Sequence, residues 1–82
     1  MEKYYKTSDL KLQAFLRLML PDMFVGVNKD NSNKVAFLFK DTSAISRLSS
    51  GYLNGKKYEI SPLAFSNKID EGKGLIYGDY GK

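Results

Sequence analysis

The sequence predicts an α+β domain, a small antiparallel sheet packed against about three helices in the order (β)αββα(β)α. Three observations carry that expectation. Residues 9–20 place apolar side chains at helical spacing between a polar capping cluster and Pro21. Residues 23–39 hold two runs rich in β-branched and aromatic side chains, separated by a wholly polar stretch. Beyond Asp41 the helical spacing returns twice, each time behind a serine or threonine able to cap it.

Tyr4-Tyr5-Lys6 reads as a short strand that turns one ring inward and the other outward. Thr7 or Ser8 is the expected N-cap of the first helix, with Asp9 complementing the positive end of its dipole. At 100° per residue Leu12, Ala14, Phe15, Leu16, Leu18 and Met19 share an arc of about 200°, whereas Asp9, Gln13 and Arg17 cluster opposite. A face that wide is expected to be buried. Pro21 ends the segment by disfavouring helical geometry at Leu20.

Met23 to Val27 and Val35 to Phe39 form the expected hairpin, with Asn28 to Lys34 as its polar loop. Val35, Phe37 and Phe39 share one face of their strand and Ala36 and Leu38 the other, so this strand is placed centrally. Gly26 is a candidate bulge. Asp41-Thr42-Ser43 caps a second helix of about three turns carrying Ala44, Ile45, Leu48 and Tyr52, with Asn54-Gly55 as its stop. Lys56 to Ile60 reads as a further short strand, widening the sheet. Ser61-Pro62 opens a third helix. Gly72 and Gly74 each weaken that helix by about 1 kcal/mol relative to alanine, so Leu75-Ile76-Tyr77 is expected to form a separate turn. Residues 1–77 make one domain, and residues 78–82 a frayed tail.

At 82 residues the chain hides only about 60% of its unfolded surface, and without cysteine no disulfide supplements the core. Its 43% hydrophobic and 27% charged residues are those of a globular chain. No apolar run approaches the roughly 18 to 20 residues that span a bilayer, and Met1-Glu2-Lys3 leads into no apolar signal core. A cytoplasmic protein without membrane contact is the expectation. Thirteen Lys and Arg against nine Asp and Glu give +4, a mild pull on anionic partners.

The chain has neither histidine nor cysteine, which removes the usual neutral-pH base, the thiol nucleophile and the common soft-metal ligands. Neither a metal nor a cofactor is expected, nor an enzyme. Asp70-Glu71, the adjacent carboxylate pair, points its two groups about 100° apart on a helix and reads as solvated surface. Asn28 to Asn33 lacks the turn glycine and bidentate glutamate of a calcium loop, and "GYLNGKKY" lacks the spacing of a phosphate-binding loop.

What remains is aromatic plus basic: Tyr4, Tyr5 and Lys6, then Lys34 and Lys40 beside the aromatic strand, then Tyr52, Lys56, Lys57 and Tyr58. Rings beside cations suit single-stranded nucleic acid, the rings stacking on bases while lysines neutralise phosphates. The same residues also suit a structural role, with tyrosines closing the core edge and lysines solubilising. Two functional expectations follow: a non-catalytic module engaging nucleic acid or a nucleoprotein complex, and a protein-interaction or self-associating module.

With "YYKTSDLKLQAFL", "VAFLFKD" and "SGYLNGKKYEISPLAF" the chain resembles a family of small bacterial and phage domains of unknown function. The matching positions are Tyr5 to Leu10, Leu12, Ala14, Phe15, Leu16, Phe37, Phe39, Tyr52 and Gly55. The resemblance implies a compact α+β domain from a bacterial or mobile-element source and carries no activity with it. Its most specific part is a cap followed by apolar helix positions, residues that a fold needs.

Overall fold

A computed structural model describes residues 3–31 and 34–77. Strand β1 (Tyr4–Thr7) leads into helix α1 (Leu10–Met19), a 3-10 turn at Pro21–Met23 and the hairpin of β2 (Phe24–Asn31) and β3 (Lys34–Lys40). Helices α2 (Ser43–Leu53) and α3 (Pro62–Tyr77) follow. The sheet is antiparallel throughout in the order β1-β3-β2, so the central position expected for the aromatic strand is observed. The expected tail and the apex of the hairpin loop lie outside the described residues.

The first helix is capped by Asp9, not by Thr7 or Ser8. The Asp9 carboxylate accepts from the amides of Lys11 at 2.9 Å and Leu12 at 3.1 Å, which satisfies two orphan donors of the first turn. Thr7 and Ser8 act one step earlier. Thr7 Oγ1 accepts from the Asp9 amide, and Ser8 Oγ donates to the Val35 carbonyl at 2.8 Å, tying the end of β1 to β3.

Packing along α1 departs from the two-sided helix that its periodicity predicts. Leu12, Gln13, Ala14, Phe15 and Leu16 are all buried, five successive residues that between them point around the whole helix. The middle of α1 is therefore enclosed on every side. Leu12, Phe15 and Leu16 join Phe37, Phe39 and Ile45 in the core, while Gln13 faces α3. Exposure returns only at the ends, at Lys11 and at Met19, which is 38% exposed despite its place on the apolar arc.

Burying Gln13 requires partners for its carboxamide, since an unsatisfied buried amide costs about 1–3 kcal/mol. Its Nε2 donates to the carbonyls of Leu10 at 2.9 Å and Lys68 at 3.1 Å, and its Oε1 accepts from Arg17 at 3.5 Å. Room for the group comes from Gly72, buried on α3, where any Cβ would collide with the Gln13 amide. The third helix thus runs unbroken through Gly72 and Gly74 to Tyr77, and no separate turn forms at residues 75–77. The propensity cost at Gly72 is offset because its missing side chain lets α1 and α3 approach. Ser61 caps α3 as expected, accepting from the Ala64 amide.

Arg17 completes this seam. Its guanidinium lies 4.5 Å from the centroid of the Phe24 ring and 3.1 Å from Glu71, which also meets Lys68 at 3.0 Å. The Lys68 ammonium bonded to it, with Arg17 nearby, holds the Glu71 carboxyl below its usual range, against a smaller opposing effect of burial.

Two further expectations need correction. The strands extend into the polar loop as far as an Asn31 and Lys34 pairing, because ladder bonds use backbone groups and do not require apolar side chains. Residues 56–60 form no strand. The Lys56 amide bonds to the Gly51 carbonyl at 2.9 Å, and Tyr58 rests against Gly51 and Phe15, so this segment is tied to a helix, which offers no strand edge to pair with. Upstream, Thr42 caps α2, and Gly55 takes the left-handed φ of +84° that ends a helix at lowest cost. Among the described residues no helix is long and apolar enough to cross a membrane.

Candidate nucleic-acid interface

Strand alternation sorts the sheet into two unlike faces. Phe37 and Phe39 are buried in the core, and the residues opposite them in register, Thr7 and Tyr5 on β1 and Val27 and Phe24 on β2, share their face. The other face carries Tyr4 opposite Lys40, Lys6 and Gly26 opposite Leu38, and Asn28 opposite Ala36. None of these residues joins the core cluster. Strand β3 is central within its sheet, but the described residues cover it on one side only, so its second apolar row, Ala36 and Leu38, floors an open surface.

The bulge expected near Gly26 shapes one end of that surface. Between the pairs Phe24–Phe39 and Gly26–Leu38, β2 advances two residues while β3 advances one. The extra residue, Val25, is 44% exposed and lines a cleft of ≈ 340 Å³ with Lys3, Tyr4, Lys40 and Asp41. This shallow basin is bordered by all three strands. Its volume falls at the lower end of the ~300–1,000 Å³ typical of ligand sites.

Cations outnumber the single carboxylate, Asp41, around this basin. Lys3, Lys6 and Lys40 are exposed, and none forms an ion pair among the described residues. By contrast Arg17 and Lys68 already meet Glu71. Unpaired ammonium groups on a shared face add to an attractive potential for polyanions.

The aromatic and basic residues singled out from sequence therefore divide. Tyr4, Lys6 and Lys40 come together on the open face, Tyr4 being 40% exposed. Tyr5 turns to the covered face opposite Phe39. Tyr52 stacks on Phe15 with ring centroids 5.1 Å apart, and Tyr58 meets the same ring at 4.8 Å. Burial, then the charge of Asp9, raises the Tyr52 hydroxyl pKa above its ordinary value. These three tyrosines close the core edge, the structural role set beside the functional one above. Lys56 lies 5.4 Å from the Tyr58 ring centroid and beside Leu20 and Leu48, and Lys57, the next residue, is exposed. Neither lines the basin at Tyr4. The side chain of Lys34 lies outside the described residues.

Sequence reading missed Lys3, Val25, Leu38 and Asp41. For Leu38 the signal is present in the alternation of β3, whose second apolar row fits an open apolar floor as well as a central strand. Val25 and Asp41 reach the basin through a bulge and a strand-to-helix junction, which have no period to read. Compared with known protein families, with curated proteins and with solved structures, the chain matches none.

Proposed function

We propose that this protein is a non-catalytic binding module that holds single-stranded nucleic acid on the open face of its sheet. The observation that carries the reading is the grouping of an exposed ring, Tyr4, with the unpaired Lys3, Lys6 and Lys40 on one uncovered surface. A flat sheet bearing an aromatic side chain accepts an unstacked base, and the flanking ammonium groups neutralise the adjoining phosphates. The excess charge of +4 adds long-range attraction. A chain without histidine or cysteine is better equipped for such binding than for acid–base or nucleophilic chemistry. A bacterial or mobile-element source is part of this proposal, as the resemblance to small bacterial and phage domains implies.

Fluorescence anisotropy with short labelled single strands tests this. Three phosphate contacts give a slope of log affinity against log salt of about −2, so binding weakens about twentyfold between 50 and 200 mM salt. Replacing Lys6 and Lys40 together by glutamine reduces that slope by about 1.4. Tyr4→Ala costs about 1–3 kcal/mol of affinity without loss of fold. Absence of binding at the lowest salt, or binding indifferent to all three substitutions, refutes the reading and leaves the open face to a protein partner.

A further inference from the structure

The basin at the end of the sheet contains a group that a simple phosphate cradle would exclude. Asp41 lines it beside Lys40, and its carboxylate has neither a hydrogen bond nor an ion pair among the described residues. A carboxylate repels phosphate, so the portion of a strand that settles against it is a base. Resting on the nucleic-acid reading above, we infer that Asp41 selects the base held at Tyr4, and that this base is guanine.

Complementarity of donors and acceptors selects guanine. An ionised carboxylate only accepts hydrogen bonds and presents two oxygens side by side. Guanine offers two parallel donors on its Watson–Crick edge, N1–H and the N2 amino group. Cytosine and adenine offer one amino group beside an acceptor nitrogen, and uracil or thymine one imino proton between two carbonyls. Guanine alone engages both oxygens, and charge-assisted bidentate pairs are both stronger and more selective than single bonds. The walls suit a base as well: Tyr4 supplies a ring and Val25 an apolar edge, with Lys3 and Lys40 left for the flanking phosphates.

Backbone context fixes where Asp41 stands at the rim of the basin. Asp41 lies between the last residue of β3, Lys40, whose register opposite Tyr4 is set by the ladder, and Thr42, whose Oγ1 accepts from the Ile45 amide at 3.3 Å as the cap of α2. A recognition group fixed between a strand and a helix keeps its geometry better than one on a free loop. An anion just before α2 also favours the helix dipole slightly. That structural role does not depend on which base is present, and this separates the two.

The test uses the full chain and strands of uniform uridine carrying at the centre guanine, inosine, adenine or cytosine, with deoxyribose counterparts run in parallel. Inosine keeps N1–H and loses the N2 amino group. The guanine strand binds about tenfold more tightly than the others, the discrimination expected of one bidentate contact. Inosine removes most of that advantage, and Asp41→Asn levels guanine with the other bases while uridine-only strands bind as well or better. Equal binding of guanine and inosine, or guanine preference persisting in Asp41→Asn, overturns the assignment even though the strands still bind. Failure of every strand to bind overturns the nucleic-acid reading itself.

Discussion

Gly72→Ala provides a sharp test of how α3 is held, because the ordinary expectation for a helical glycine is reversed there. In an open helix the change to alanine stabilises by about 1 kcal/mol through backbone entropy. At Gly72 the added methyl meets the Gln13 carboxamide, with the Cδ atom only 2.8 Å away and Leu10 Cδ1 at 3.1 Å. Gln13 has no free volume in which to swing aside, being fully buried with its amide bonded to Leu10 and Lys68. Displacing it forfeits two hydrogen bonds or parts the helices, a loss of about 2–3 kcal/mol against the propensity gain of about 1. The net result is destabilisation by about 1–2 kcal/mol, a fall in Tm of about 5 to 15 °C for a domain of this size. Gly74 supplies the internal control. Nothing lies within 4 Å of a Cβ built there, so Gly74→Ala raises Tm by about 4–8 °C. Thermal unfolding followed by circular dichroism measures both, and the cycle is completed in a Gln13→Ala background, where Gly72→Ala becomes stabilising and the coupling is roughly 2–3 kcal/mol. A Gly72→Ala protein as stable as the Gly74→Ala protein would refute the close packing of α1 on α3.

Other outcomes follow from the same contacts. Phe15→Ala removes a ring that is 1% exposed and carries both Tyr52 and Tyr58; it costs about 3–5 kcal/mol in denaturant titration, enough to unfold much of a domain this small. Wild-type stability in that variant would contradict the placement of the core. Glu71→Gln lowers stability at pH 7 by less than about 1 kcal/mol, since the Glu71 pairs are half-exposed. Because the folded-state pKa is depressed, the Glu71 contribution is complete above its usual value near 4.5 and fades as pH falls through the lowered folded value. The Tm difference between Glu71→Gln and the parent therefore vanishes in acid; a constant difference would show that charge is not its cause. For the proposed strand binding, the double Lys6 and Lys40 variant is expected to flatten the salt dependence in anisotropy titrations, and Asp41→Asn to abolish the preference for guanine.

Much of this architecture was legible in linear patterns. The two apolar runs around a polar stretch, the capping residues before each helix and the stop at Pro21 or Asn54-Gly55 report local requirements, and each element they imply is present. Local signals misled where a neighbour supplied what the pattern lacked. Glycines that weaken an isolated helix are accommodated in α3 because Gln13 occupies the space at Gly72. Residues 56–60 have the composition of a strand, yet their partners are Gly51 and Phe15 instead of a sheet edge. The candidate site was legible in kind but not in membership, since an aromatic ring looks the same in sequence whether it rests on Phe15 or faces solvent.

The sequence by itself determined the α+β class, the strand that occupies the middle of the sheet and the net basic charge, because these depend on periodicity, capping chemistry and composition. Only the tertiary structure decided that the middle of α1 is enclosed on all sides, that one face of the sheet is left uncovered by the described residues and that Tyr4, Val25, Lys40 and Asp41 meet in one basin. The physical reason is that burial and proximity belong to pairs of elements. A residue's neighbours in space are set by how those elements pack, and no single segment carries that information.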